Sequence, residues 1–235
     1  MKDSWFAKFV EYIFSIFFPK RCVVCGKYGQ LVCFECASKI ELIKTSVCQG
    51  CGKISPEGKY CGNCRRNNGF VIDGVLVSAR YDNLETKKII AAFKYDGITE
   101  LCIVLSTIMY ERIKAIKLPK ETLIIPVPLH KKRLKTRGFN QSYLLAQQLS
   151  MKLVLPLLGG IVRKKETHQQ VGLDRSHRIR NMEDAFVCKN QLSLIGKTIL
   201  LIDDVVTTGA TLNACAKALK GAGAKKVIAL VVAKN

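Results

Sequence analysis

The sequence is poor in acidic residues and has no long hydrophobic run. Its 235 residues include 18 Asp and Glu against 38 Lys and Arg, so the formal net charge is +20 at pH 7. A positive excess this large favours polyanionic partners, namely nucleic acid, phosphorylated metabolites or anionic lipid. With 49% hydrophobic and 24% charged residues, the composition excludes wholesale disorder and a collagen-like fold. The length fits one good-sized domain with a small appendage.

The N-terminal segment is apolar but lacks the features of a membrane span or an export signal. The apolar run at residues 9–18 is shorter than the roughly 20 residues that a transmembrane helix needs. They include Glu11, and Pro-Lys-Arg follows them with no small-residue cleavage site. We therefore expect no stable membrane insertion and a cytoplasmic location. Apolar side chains recur every four positions at Trp5, Phe9, Ile13 and Phe17. This spacing predicts an amphipathic helix over residues 1–20, packed on the protein itself or, alternatively, contacting a membrane or partner.

Cysteine is abundant, and its spacing indicates metal binding. Eight of the eleven cysteines form four Cys-x-x-Cys pairs, which are Cys22/Cys25, Cys33/Cys36, Cys48/Cys51 and Cys61/Cys64. Thiolates at this spacing bind zinc tetrahedrally, so residues 21–68 are predicted to form a double zinc ribbon with two structural Zn²⁺ ions. The favoured arrangement closes each site with consecutive pairs. Crossed pairing, a single zinc ion and an iron–sulfur cluster are the alternatives.

The zinc-ribbon segment is too small to bury a sufficient apolar core, so metal binding is expected to supply its stability. Its surface is basic, with Lys and Arg well in excess of acids over residues 20–66. This surface either contacts nucleic acid or is simply solvated.

From residue 69 onward, apolar strands alternate with amphipathic helices. This pattern predicts an α/β domain over residues 69–235, with a mainly parallel sheet flanked by helices. The expected strands are 71–79, 123–128, 198–202 and 227–233, and the expected helices are 84–95, 101–112, 139–150 and 211–220. On the helix at 139–150, Phe139, Tyr143, Ala146 and Leu149 are expected to share the buried face.

The clearest functional pattern follows the strand at 198–202. Asp203 and Asp204 come directly after it, and the turn Thr207-Thr208-Gly209-Ala210-Thr211 then opens a helix. Backbone N–H groups, hydroxyls and the helix dipole at such a turn bind a phosphate. The paired acids indicate a ligand that also offers hydroxyl groups, as a ribose does. The Walker pattern Gly-x-x-x-x-Gly-Lys is absent from the sequence, which disfavours a nucleoside triphosphatase.

This stretch resembles the signature of type I phosphoribosyltransferases that binds 5-phosphoribosyl-1-pyrophosphate (PRPP). The resemblance implies that Asp203 and Asp204 hold the ribose hydroxyls and that the turn holds the 5′-phosphate. The candidate PRPP-binding run is therefore Asp203, Asp204, Val205, Val206, Thr207, Thr208, Gly209, Ala210 and Thr211.

Further segments narrow the resemblance. Residues 126–141, the Thr167-x-x-Gln170-x-x-Leu173 pattern and Phe93-Lys94-Tyr95-Asp96-Gly97 resemble the ComF (ComFC, GntX-like) family of competence proteins. The family architecture, a double zinc ribbon joined to a phosphoribosyltransferase-like domain, would cover nearly the whole chain. The resemblance implies that PRPP binds with Mg²⁺ and contacts Lys94. It also implies handling of incoming single-stranded DNA, with a competence helicase or DNA-processing proteins as further partners.

A cation-rich block lies between residues 130 and 180. Arg137 and Arg163 are the main candidates for pyrophosphate contact and Lys164 and Lys165 weaker ones, while residues 159–183 are a candidate lid. For a transferase, the candidate catalytic residues are Asp203, Asp204 and Arg137. Two hypotheses remain open. The protein is either a phosphoribosyltransferase, in DNA uptake or nucleotide salvage, or a non-catalytic factor that binds PRPP and single-stranded DNA.

Overall fold

The computed structural model describes residues 19–163, 186–188 and 192–235. The expected helix at residues 1–20 therefore lies outside the described residues except for its last two positions. So do the candidate lid beyond residue 163, Lys164, Lys165 and the side chain of Arg163. The elements are α1 (Phe34–Ser38), α2 (Gly62–Asn68), β1 (Gly74–Arg80), α3 (Leu84–Tyr95), α4 (Leu101–Ile113), β2 (Thr122–Pro126), α5 (Lys131–Arg137), α6 (Gln141–Leu153), β3 (Ile161–Arg163), β4 (Phe186–Cys188), β5 (Thr198–Val206), α7 (Ala210–Gly221) and β6 (Lys226–Lys234), with 3₁₀ turns at Pro56–Gly58 and Leu192–Leu194.

Four strands form a parallel sheet in the order β1–β6–β5–β2. All five residues from Thr198 to Ile202 in β5 are buried, as expected of an apolar strand that helices cover on both faces. A separate antiparallel pair joins β3 to β4. The predicted α/β class with a mainly parallel sheet is confirmed.

Helices cover both faces of the sheet. On one face α3, α4 and α6 bury Phe93, Leu105 and Leu149. On the other face α7 buries Leu212 and Leu219 and contacts β3 and β4. Within the described ranges, no helix combines the length and apolar character needed to cross a membrane.

The structure differs from the expectations at two places. Tyr143 is 44% exposed, because the buried face of α6 runs through Ser142, Leu145 and Leu149 and position 143 lies outside that face. Residues 131–137 were not among the expected helices but form the helix α5, which ends at Gly138 with φ of 80°. Lys, Arg and Leu are good helix formers, and a left-handed glycine is a common helix stop.

The double-ribbon segment lies along the edge of the sheet at β1. Leu42 pairs with Ala79, and Lys59 pairs with Gly74, in isolated antiparallel bridges. The N–H of Ile43 also donates to the Ser78 carbonyl at 2.9 Å. Backbone groups at an uncovered sheet edge are a template for aggregation. Residues 40–60 therefore protect the edge strand of the larger domain.

Candidate functional site

The acid pair lies at the carboxyl end of β5, where ligands bind in open α/β sheets. The Ser142 hydroxyl donates to Asp203 Oδ1 at 2.8 Å. Lys94 Nζ lies 2.9 Å from Asp204 Oδ1, and this lysine and this aspartate have side chains that are only 16% and 12% exposed. The structure thus brings together three of the predicted site residues, and each acid has a partner from a different helix.

Two helices position these partners. Lys94 lies in the last turn of α3. Ser142 lies in the first turn of α6, where the Asn140 side chain caps the helix by accepting from the Ser142 N–H at 3.1 Å. The Asn140 amide also donates to the Val127 carbonyl at 3.1 Å, which ties the start of α6 to the end of β2. Asn140 and Ser142 were not predicted as site residues. An Asn directly before an apolar helix signals where that helix begins, but it does not show that Ser142 contacts Asp203.

Asp203 has an unusual proton affinity. Burial and the neighbouring Asp204 carboxylate raise the pKa of Asp203 to about 7, although hydrogen bonds from Ser142 and the Asp204 N–H and the charge of Lys94 oppose the rise. Two adjacent carboxylates with little water around them are costly to ionise together. Carboxyl groups perturbed in this way are typical of functional sites. The pair therefore favours a ligand that donates hydrogen bonds or brings positive charge.

The residues after the acid pair form a tight turn, Thr207–Thr211, which we call the phosphate turn. Val205 and Val206 complete β5. Thr207 is exposed, and the Thr208 hydroxyl accepts from the Ala210 N–H at 3.3 Å. Gly209 caps the helix with φ of 79°, a left-handed conformation that glycine adopts without strain. Since the first N–H groups of a helix have no intrahelical partner, the start of α7 presents donors and a favourable dipole to an anion.

The predicted cations lie in different places. The Arg137 guanidinium lies 5.3 Å from the centre of the Tyr95 ring, within range of a cation–π interaction. Tyr95 is 76% exposed and directly follows Lys94, so this pair lies on the rim beside the acids. Arg163 is the last residue of β3. Of the proposed cations with described side chains, Lys94 alone contacts the acid pair, and Arg137 is held by an aromatic ring instead.

The eight ribbon cysteines form two clusters. The first cluster is Cys22, Cys25, Cys33 and Cys36, the second cluster is Cys48, Cys51, Cys61 and Cys64, and within each all four sulfurs lie within 4.8 Å of one another. Sulfur–sulfur distances of 3.6 Å in the first cluster and 3.7 Å in the second match the roughly 3.8 Å expected when four thiolates surround one zinc at about 2.3 Å. Consecutive pairs therefore close each site, and the crossed arrangement is excluded.

Backbone groups prepare both clusters for metal. Burial opposes ionisation of Cys22, but the N–H groups of residues 33, 25 and 24 lower the pKa of this thiol to about 6. Cys48 is equivalent: burial opposes ionisation, while the N–H groups of residues 61, 50 and 51 lower its pKa to about 6. Thiolates are the form that binds zinc, and four sulfurs lie within 4.8 Å of one another in each cluster, so both clusters fit structural zinc.

Two family models match the chain. The model described as the double zinc ribbon domain matches residues 13–65, and the phosphoribosyl transferase domain model matches residues 135–235. The first match covers both cysteine clusters, and the second covers the acid pair and the phosphate turn.

The chain is similar to curated proteins over most of its length. Competence protein F of Haemophilus influenzae is 32% identical in an alignment of 219 positions that covers 83% of this chain and 93% of that protein. Competence protein ComFC of Bacillus subtilis is 30% identical over 203 residues, covering 85% and 82% respectively. DNA utilization protein YhgH of Escherichia coli O157:H7 is 31% identical over 223 residues, covering 89% and 94%. Similarity at this level over nearly all of both chains shows that this protein belongs to the ComF family of competence proteins, which join a double zinc ribbon to a phosphoribosyltransferase-like domain.

Proposed function

We propose that this protein binds PRPP with Mg²⁺ at the end of β5 and acts in cytoplasmic handling of incoming single-stranded DNA during natural transformation. The proposal divides the chain into an N-terminal helix (1–20), a double zinc ribbon (21–68) and a PRPP-binding domain (69–235). One observation carries it: two carboxylates near the carboxyl end of β5, each with a fixed partner, lie two residues before a turn that presents helix N–H groups. The names of the relatives, competence and DNA utilization proteins, support the cellular setting.

In this proposal each part of the site binds one part of PRPP. The ribose hydroxyls donate to Asp203 and Asp204, which Ser142 and Lys94 hold in place. The 5′-phosphate accepts hydrogen bonds from the backbone N–H groups and the threonine hydroxyls of the phosphate turn. The pyrophosphate lies toward Arg137 at the end of α5, and bound Mg²⁺ would neutralise part of its charge. The ion pair with Lys94, 2.9 Å from Asp204 Oδ1, fixes the orientation of this carboxylate.

Replacing both aspartates is expected to abolish most PRPP binding. The Asp203→Asn/Asp204→Asn protein keeps the shape of the site but loses two charged acceptors. A hydrogen bond to a charged group contributes about 1.5–3 kcal/mol, so the affinity for PRPP–Mg²⁺ should fall at least about 100-fold. Isothermal titration calorimetry measures this directly.

A matched control separates the site from net charge. Glu111→Gln/Glu121→Gln makes the same charge change at exposed positions near the amino end of β2, at the opposite end of the sheet. Its affinity should equal that of the wild type. Equal PRPP affinity in the wild type and the double aspartate variant would refute the proposed site.

The proposal assigns single-stranded DNA to the basic surface of α5 next to Tyr95. Lys131, Lys132 and Lys135 are exposed, and Tyr95 is an exposed ring that Arg137 stacks against. Cations that follow the backbone beside an aromatic ring on which a base stacks are the usual components of single-strand binding.

Removing the three α5 lysines should weaken DNA binding and reduce its salt dependence. Each phosphate contact adds about 0.7 to the slope of log affinity against log salt concentration for single strands. The Lys131→Ala/Lys132→Ala/Lys135→Ala protein should therefore lose about 2 from that slope, measured by fluorescence anisotropy with labelled oligo-dT. The control, Lys114→Ala/Lys117→Ala/Lys120→Ala, changes three exposed lysines before β2. If both variants lose affinity equally, the effect is one of net charge and α5 is not the site.

The transferase and binder hypotheses differ in one measurable product. Transfer of phosphoribose breaks the bond between C1 of the ribose and the pyrophosphate oxygen, so pyrophosphate is released when an acceptor is present. We expect release to be seen only with the true acceptor, and it should be lost in the Asp203→Asn/Asp204→Asn protein. A screen of nucleobases, nucleotides and oligonucleotides that yields no pyrophosphate would favour the non-catalytic binder.

A further inference from the structure

We propose that the second cluster positions the phosphate turn, so that binding of a 5′-phosphate depends on metal at this cluster and not at the first cluster. The inference rests on the proposed function, because it identifies which part of the PRPP site the zinc ribbon controls. Tyr60 and Asn213 are the positioning residues. The argument follows the contacts from the second cluster through α2 to α7, the helix that begins in the phosphate turn.

The second cluster fixes the start of α2, and α7 holds its end. Cys61 is the N-cap of α2 and Cys64 lies in its first turn, so two of the four thiols hold this helix. The chain that leaves α2 meets Asn213 in the first turn of α7. The Asn213 side-chain oxygen accepts from the N–H groups of residues 71 and 72 at 2.7 and 3.2 Å, and its amide donates to the Gly69 carbonyl at 3.3 Å.

A second contact joins α2 to the far end of α7. Asp73 accepts from Arg65 of α2 at 3.1 Å and from Lys220 in the last turn of α7 at 3.0 Å. The Asp73 carboxylate also accepts from the Val227 N–H at the start of β6 at 2.8 Å. Residues 69–73, which follow directly from α2, are thus bonded to both ends of the helix that begins in the phosphate turn.

Tyr60 touches the phosphate turn itself. It directly precedes the metal ligand Cys61, is 8% exposed and stacks on Phe70 with the ring centres 4.1 Å apart. The Tyr60 hydroxyl lies only 3.4 Å from the position that a Cβ on Gly209 would occupy. Because the packing around this ring is close, displacement of Cys61 would move Tyr60 and release the turn at Gly209.

The first cluster lies on the opposite face and lacks this connection in the described part of the chain. Cys22 and Cys36 pack into the core beneath α3 and α4. Lys88 of α3 donates to the Val24 carbonyl at 2.9 Å, and Lys20 pairs with Glu100 just before α4 at 2.7 Å. Cys48, Tyr60 and Phe70 instead pack in the core that α7 covers. The two clusters are therefore internal controls for each other.

The test compares two equivalent cysteine variants. Cys61 and Cys33 are the first cysteine of the second pair in each cluster, so Cys61→Ser and Cys33→Ser make the same change on the two faces. Hydrogen–deuterium exchange in the ligand-free proteins reports local opening. Cys61→Ser should speed exchange of the amides of residues 207–213 at least about 10-fold, and Cys33→Ser should leave them at the wild-type rate.

Ligand fragments give the second readout. We expect calorimetry to show that Cys61→Ser lowers the affinity for ribose 5-phosphate at least about 10-fold. In a separate titration, the affinity for pyrophosphate should stay within about twofold of the wild-type value. If the Cys61→Ser protein does not fold, the Asn213→Ala protein replaces it in these experiments, since Asn213→Ala keeps all eight ribbon cysteines. It should show the same faster exchange with an unchanged zinc content. Tyr60→Phe removes only the hydroxyl near Gly209. It should lower the affinity for ribose 5-phosphate about threefold and leave the affinity for pyrophosphate unchanged.

The outcomes separate this inference from the proposed function. Equal exchange at residues 207–213 in the Cys61→Ser and Cys33→Ser proteins, or an unchanged rate in Asn213→Ala, would overturn the inference. Equal loss of ribose 5-phosphate and pyrophosphate affinity would also overturn it, because a general loss of structure would then explain the result. If wild-type protein fails to bind ribose 5-phosphate while the exchange difference is present, the proposed function fails and the structural coupling stands.

Discussion

Removal of zinc with a chelator is expected to unfold residues 21–68 and to lower the melting temperature of the protein by at least about 10 °C. Structural zinc contributes apparent binding free energies of about 10–16 kcal/mol in small zinc modules, and about 1 kcal/mol shifts the melting temperature by roughly 2–4 °C at this chain length. The ribbon has little core of its own, since most of its buried side chains, such as Val32 and Ile40, pack against the larger domain.

The loss should also expose the sheet. Without the ribbon, the bridges from Leu42 to Ala79 and from Lys59 to Gly74 are lost, and β1 becomes an open edge that can pair with other chains. Circular dichroism melts, light scattering and a chromogenic zinc assay during chelation test these points together. About two zinc ions should be released per chain. Adding zinc back before the protein aggregates should restore the original melting temperature. Release of both ions with an unchanged melting temperature would contradict a structural role.

The sheet and its helices could be predicted because local periodicity specifies them. The apolar run 198–202 predicts a strand covered on both faces, and the structure extends that strand only at its polar end, through Val206. The position of the acid pair follows from the same strand, since the carboxyl end of a parallel strand lies at the ligand-binding edge. The sequence around residues 198–206 is therefore enough to predict where the acid pair lies in the sheet.

The contact of Ser142 with the acid pair could not be predicted in this way. Ser142 and Asp203 are 61 positions apart, and their contact depends on how α6 packs on β5 and not on any local pattern. Tyr143 shows the same limit: the face that α6 buries is rotated relative to the predicted stripe, and Tyr143 lies outside it. The highly charged α5 has no apolar stripe, so periodicity could not identify it as a helix.

The relation of the ribbon to the larger domain was also beyond the sequence. The two cysteine repeats are nearly identical in spacing, so their spacing alone did not decide between consecutive and crossed pairing. Their placement on opposite faces of the sheet depends on single contacts made far apart in sequence, such as Asn213 with the residues that follow α2. A repeated motif predicts two similar metal sites. The elements that surround each site determine which part of the larger domain it contacts.

Replacing Asp203 with asparagine is expected to stabilise the ligand-free protein at pH 8 and to change its stability much less at pH 4.5. The pKa of Asp203 is raised from 3.8 to about 7, first by burial and then by Asp204. Between these values the folded protein binds more protons than the unfolded chain, so its stability falls as the pH rises toward 7 and is constant above that. A fully buried group with this shift would cost roughly 4 kcal/mol, and the partial exposure of Asp203 reduces the expected gain in the variant to about 2 kcal/mol.

Denaturant unfolding of both proteins from pH 4.5 to 8 measures this difference, and Asp73→Asn is the matched control with the opposite sign. Burial opposes ionisation of Asp73, but hydrogen bonds from Lys220, the Val227 N–H and Arg65 lower the pKa of its carboxyl below the usual value. Asp73→Asn should therefore destabilise the protein at neutral pH, and its effect should shrink as the pH falls toward the folded pKa. If Asp203→Asn is destabilising at pH 8 to the same extent, Asp203 is a structural carboxylate. If it is stabilising, the native chain keeps two repelling acids together at a cost in stability, which is expected when their attraction for a ligand is what the protein requires.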